Sequence, residues 1–303
     1  MDKPVFARDD RPVSIAVADY AITGPLKRAA SADGDDTMRF EAVSPITRAF
    51  RPMAREQAYD ICEMAIVTYL QARAYGKPVW LLPIVLLARF QHRCIVCNSD
   101  RAILRPKDLE DRTVGVRAFS QTTGAWVRGL LANEYGVDLE KIDWMTFEDG
   151  HVAEYADPPI ARRAPEGRKP GEMLQACELD AAILGNDLPK DERLVTVIAD
   201  PAGDARRWYE RTNVIPINHM VVVSEDLLQR SPGAAAGFFE AIAESKRAGN
   251  GIVEDGVDMN PLGVEALRPS LEMIIDYSLQ QGLIPRRLTV DELFHHATRD
   301  FGR

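Results

Sequence analysis

Residues 106–131 read PKDLEDRTVGVRAFSQTTGAWVRGLL. A proline-led polar turn runs into a short β-branched strand ending near Val116, and a helix follows from about Ser120 to Gly136. Ser120, Thr122 and Thr123 are its candidate caps, because a hydroxyl there can accept from the unpaired N–H groups of the first turn. Composition changes sharply at Asp111–Val116 and again after Val223. The two breaks predict a lobe inserted within a lobe: residues 1–110 with 224–303, and residues 111–223. Two crossings of the chain would then form a hinge over a cleft, a common place for ligands.

Outward from that stretch, short apolar runs alternate with helix-like segments, the pattern of an α/β fold. Strands are expected at Val13–Ala18, Tyr59–Met64, Val79–Val85, Cys94–Cys97, Ile142–Phe147, Leu179–Leu184, Leu194–Ile198 and His219–Val223. Helices are expected at Thr47–Gln57, at Ile66–Ala74 ending at Gly76, and at Gly233–Lys246, where Ser231-Pro232 suits a helix start. Two more are expected at Arg268–Gln281 and Val290–Thr298. The segment DPPIARRAPEGRKPG, residues 157–171, reads as a surface loop because of its prolines and charges.

The chain has 303 residues, long enough for two lobes. Acidic side chains number 46 and basic ones 37, a formal charge of −9. A field of that sign opposes binding to nucleic-acid phosphates or anionic lipid. The amino terminus, MDKPVFARDDRPVSIAVADY, has no apolar stretch long enough for a secretory signal, and no window is long enough to span a bilayer. The expectation is a cytoplasmic protein with reduced cysteines.

Several motifs, in order along the chain, resemble the 4,5-dihydroxyphthalate decarboxylases. They are Asp19-Tyr20, Tyr59-Asp-Ile-Cys-Glu-Met64, Arg89-Phe-Gln-His-Arg93, the stretch Gly115–Leu131, Ile142-Asp-Trp144, His219 before a valine run, Gln281-Gly-Leu283 and Arg286-Arg287-Leu-Thr289. The resemblance implies a two-lobed α/β fold like the type II periplasmic binding proteins, with a ligand cleft between lobes. It also implies non-oxidative decarboxylation of a hydroxylated aromatic acid, in a role in aromatic catabolism. Two positions depart from the family: Ala21-Ile22-Thr23 and Gly185-Asn-Asp187 stand where arginines are usual.

Such a reaction needs groups that hold carboxylates and an acid that protonates the ring carbon. Uniform holding leaves turnover unchanged, so the acid is decisive. Arginine suits bidentate carboxylate binding, and Arg51, Arg89, Arg93 and Arg117 are candidates. The resemblance favours Arg89, whereas Arg48, Arg51 and Arg55 also fit one exposed helix face. The segment Ser120, Gln121, Thr122, Thr123 can offer helix-start N–H groups and hydroxyls to an anion. Asp19 and Phe50 complete the expected substrate-binding set.

Three groups compete as the acid: His219, His92 and Glu63. The histidines titrate near neutrality, and Glu63 would be held protonated if buried at the end of its apolar strand. His92, flanked by Arg89 and Arg93, could lose its proton to their field and donate to a ring hydroxyl instead. Trp126 and Arg128 are expected to pack or pair within the second lobe. Cys94-Ile-Val-Cys97 has no second pair, and strand alternation would put its thiols on opposite faces. No zinc pattern or nucleotide loop occurs.

The reading is a decarboxylase without metal or other cofactor, its partner a small aromatic carboxylate, with neither nucleic acid nor membrane; self-association into a homo-oligomer is left open. The alternative is a solute-binding or sensor protein using the same cleft, as in receptors for ABC-type importers.

Overall fold

The computed structural model describes residues 11–33, 37–185 and 188–302. The first ten residues of the amino-terminal stretch, and Asn186 and Asp187 of the Gly185-Asn-Asp187 departure, lie outside them. In chain order the elements are β1 (Val13–Ala16), α1 (Gly24–Asp33), β2 (Met38–Phe40), α2 (Phe50–Glu56), β3 (Ile61–Ala65), α3 (Ile66–Ala74), β4 (Val79–Ala88), β5 (Ile95–Asn98) and β6 (Thr113–Val116). They continue with α4 (Thr122–Tyr135), β7 (Asp143–Thr146), β8 (Ala161–Arg163), α5 (Pro170–Gln175), β9 (Ala181–Ile183), β10 (Leu194–Thr196), α6 (Pro201–Thr212) and β11 (Ile217–Ser224). The last are α7 (Glu225–Arg230), α8 (Pro232–Ser245), a hairpin of β12 (Val253–Glu254) and β13 (Val257–Asp258), and α9 (Val264–Gln280).

The chain divides into two compact units. Unit 1 comprises Met1–Arg89, Ile217–Ile275 and Arg286–Arg303; unit 2 comprises Phe90–Pro216 and Asp276–Pro285. Residues 90–110, which composition placed with the first lobe, fall in unit 2 because β5 hydrogen-bonds β9 and β10 there. At the other boundary β11 pairs with β3 and β4, which carries residues 217–223 into unit 1.

The sheet of unit 1 runs β2-β1-β3-β11-β4. β1, β2 and β3 are parallel, and β11 lies antiparallel between β3 and β4. Strands buried on both faces require near-continuous apolar sequence. β3 (ICEMA) and β11 (INHMVVVS) meet that requirement with conspicuous exceptions, Glu63 and the pair Asn218-His219. Helix α8 covers one face, packing Phe238, Phe239 and Ile242 with Ile15, Ile84 and Val221 of the sheet.

The sheet of unit 2 runs β10-β5-β9-β6-β7-β8, with β9, β6, β7 and β8 parallel. β8 lies inside the 157–171 segment read as a loop. Backbone pairing with β7 at the sheet edge overrides its polar composition there. The helix expected at Val290–Thr298 is one 3-10 turn, Val290–Leu293, started by a Thr289/Glu292 capping box. Phe294 then extends and bridges Leu81 of β4 instead of continuing it.

Candidate functional site

Unit 1 brings two of the expected acids together. In the β3–β11 register His219 opposes Ala65 and Val221 opposes Glu63. Alternate residues of a strand share a face, so His219 and Glu63 are diagonal neighbours on one side of the sheet. The β11–β4 register shifts on both sides of His219. An irregularity of that kind re-aims the side chain it carries.

The result is a hydrogen-bonded cluster on a fully buried carboxylate. His219 Nδ1 lies 2.6 Å from Glu63 Oε1, the Tyr20 hydroxyl donates to the same oxygen at 2.6 Å, and the Ala18 N–H donates to Oε2 at 2.9 Å. Glu63 has no exposed side-chain surface, whereas His219 keeps 15% of its own. Both carboxylate oxygens are thereby engaged, and the imidazole meets Oε1 through Nδ1. Nε2 of His219 makes no hydrogen bond among the described residues. The Phe50 ring meets the imidazole edge to face, centroids 5.1 Å apart.

Charge follows from this packing. Burial, then the Glu63 charge and its hydrogen bond, push the Tyr20 hydroxyl far above its ordinary value, so Tyr20 stays a donor. Burial and Glu63 likewise raise the Cys62 thiol, which is neutral.

The loop delivering two of those donors is tied by Thr23. Its Oγ1 donates to Ala18 O at 2.8 Å and accepts from the Tyr20 N–H at 2.9 Å. Ile22 and Thr23 are both buried, so the Ala21-Ile22-Thr23 departure is built into the packing of unit 1. Lys27 donates to Val17 O and pairs with Asp19 at 2.6 Å. Asp19 is itself 88% exposed, and Arg51 is exposed on α2; neither hydrogen-bonds the dyad. Arg89 is half-buried just after β4.

The other expected residues fall in unit 2. Ser120, Thr122 and Thr123 are buried around the start of α4, but the N-cap is Gln121 and no side chain caps the helix. Beneath this turn Arg128 is fully buried. Its Nη2 donates to Phe119 O at 2.5 Å, its Nε donates to Gln281 Oε1 at 2.8 Å, and its guanidinium stacks 3.9 Å from the Phe119 ring. Burial lowers it to about 10, still a cation at neutral pH. Gln281 in turn donates to Ala125 O, which explains why the Gln281 and Arg128 motifs occur together: both hold α4.

His92 is buried in a 3-10 turn, edge to face with Trp208 at 5.7 Å. Burial lowers it to about 4 despite the opposing pull of Asp204. Desolvation, rather than the flanking arginines, keeps it neutral; Arg93 is exposed. A neutral imidazole at pH 7 is a poor proton donor. Cys94 lies in the same turn rather than in a strand, so strand alternation does not govern the Cys94–Cys97 pair; both are buried, and neither is in a disulfide.

Because His92 is depressed below 6.5 on folding, the unfolded chain takes up the proton first as pH falls. Stability present above pH 6.5 is therefore lost between 6.5 and about 4, by about 3 kcal/mol. Denaturant unfolding of wild type and His92→Phe across that window is expected to show the shallower acid dependence in the variant. Equal slopes would remove His92 as the cause.

These features define a class. Two sheets built in this way give the α/β fold of periplasmic binding proteins, and solved structures agree. The alkanesulfonate-binding protein SsuA from Xanthomonas axonopodis pv. citri, bound to MOPS, superposes with a TM-score of 0.58 at 13% identity, over 95% of this chain and 99% of its own. The desulfurization enzyme DszB in complex with biphenyl-2-sulfinic acid gives 0.59 at 14% identity, over 93% and 96%. In sequence the chain is similar to the 4,5-dihydroxyphthalate decarboxylase of Comamonas testosteroni, 28% identical across 94% of this chain and 97% of that protein. The resemblance carried by the motifs therefore extends over nearly the whole chain. No family model matches it. Among the described residues no helix is long and apolar enough to cross a membrane.

Proposed function

We propose that the protein is a cofactor-independent decarboxylase that converts a 4,5-dihydroxyphthalate-like acid to a protocatechuate-like product. The observation that carries this reading is the 2.6 Å contact between His219 Nδ1 and the buried Glu63 carboxylate, which leaves Nε2 uncommitted. In such a substrate each hydroxyl is para to a carboxyl-bearing carbon and feeds electrons to it. Protonated His219 gives its Nε2 proton to that carbon, forming the C–H bond. The C–C bond to the carboxylate then breaks, CO2 leaves, and the bonding pair restores the aromatic ring. Glu63 stabilises the imidazolium before transfer, and water returns the proton afterwards. A positioned acid of this kind contributes about 10²–10⁴-fold.

Arg89 is the proposed carboxylate holder in unit 1, with Phe50 against the histidine. Arg51 and Asp19 are secondary candidates there. In unit 2 the Ser120–Thr123 turn, above the buried Arg128 cation, is proposed as an anion site. We place the reaction in the cytoplasm and in aromatic catabolism.

The fold likeness to SsuA favours a second reading, a receptor for a small organic anion. Incubating the protein with 4,5-dihydroxyphthalate while following CO2 release decides between them. Release in proportion to protein supports the enzyme; saturable binding without release supports the receptor.

A further inference from the structure

Glu63 Oε1 accepts two hydrogen bonds of equal length, one from His219 Nδ1 and one from the Tyr20 hydroxyl. The second is absent from the proton transfer described above, yet the molecule invests in it. Tyr20 is held by the Thr23 tie at its backbone, and burial keeps its hydroxyl protonated. A donor on Oε1 spreads the negative charge that attracts the imidazolium. We propose that Tyr20 is a positioning residue that sets how tightly the His219–Glu63 pair holds its proton, acting through the oxygen they share. Relative to a two-member pair, the third donor makes His219 a stronger acid and aims the carboxylate at Nδ1.

The surroundings leave this role to Tyr20. From β3 the neighbouring titratable group is Cys62, a neutral thiol. From α2 comes the Phe50 ring, with Arg51 beside it turned to solvent. Leu87 of β4 opposes His219 and is apolar. Asp19 on the β1–α1 connection and Lys27 of α1 neutralise each other.

The inference rests on His219 as the proton donor, and its test reads the pair without requiring turnover. In protein carrying 15N-labelled histidine, the ring resonances of His219 are followed by NMR against pH in wild type and Tyr20→Phe. The variant is expected to take up its proton at a pH higher by about one, a tenfold gain in proton affinity. Site-specific replacement of Tyr20 by 3,5-difluorotyrosine keeps the shape, strengthens the donor and shifts the midpoint the other way. It also serves if the phenylalanine variant does not fold. Unchanged midpoints, or shifts of the opposite sign, overturn the proposal. If the substituted proteins show these shifts but the wild type releases no CO2, the decarboxylase reading is overturned and the role of Tyr20 stands.

Discussion

His219→Asn is expected to lower the rate of CO2 release from 4,5-dihydroxyphthalate by about 10²–10⁴-fold while leaving substrate affinity within a few-fold. Asparagine keeps a donor where Nδ1 stands, so Glu63 retains a partner and the buried carboxylate is not orphaned. What is lost is Nε2, the ring atom with no hydrogen bond among the described residues. The effect should therefore appear in kcat and spare binding, as it does when a group acts only in the transition state. Steady-state kinetics with calorimetric binding makes the separation. A variant within threefold of wild-type kcat excludes His219 as the acid.

Glu63→Gln should be nearly as damaging, and for a different reason. The amide is the same size but uncharged, so it no longer stabilises the imidazolium. Neutralising the carboxylate of a histidine–carboxylate pair in this way has cost about 10⁴-fold in a serine protease. Geometry adds a penalty. Both oxygens accept from donors, so an amide must turn its NH2 group toward the Ala18 N–H or toward Tyr20 and His219. A buried donor facing a donor costs about 1–3 kcal/mol. The variant should lose kcat by at least about 10²-fold and melt at a lower temperature. Unimpaired turnover would show that the carboxylate is only structural.

The same two residues show how far the sequence could be read. Glu63 is legible at the end of an apolar strand and His219 as a titratable ring before a valine run, and a buried polar group must find a partner. Their partnership was hidden, since 156 residues separate them and only the β3–β11 register makes them diagonal neighbours. Two further partners of Glu63, the Ala18 N–H and the Tyr20 hydroxyl, come from the β1–α1 connection, more than forty residues away in sequence. Tyr20 stands within the Asp19-Tyr20 motif, but nothing local tells a hydroxyl aimed at a carboxylate from one in solvent. His92 and His219 read alike in sequence, whereas the burial that depresses His92 is assembled from distant segments, Trp208 among them. The hydroxyls of Ser120, Thr122 and Thr123 suited a helix cap, yet the backbone starts the helix after Gln121.

Alternation of short apolar runs with helical segments determined by itself that the chain builds α/β layers, since burial of strand and helix faces follows local periodicity. The order of its motifs determined which proteins it resembles. Which ionisable side chains meet, and in what charge state, was decided only by tertiary structure. Strand register and desolvation sum contributions from segments far apart in the chain, so no single stretch of sequence contains them.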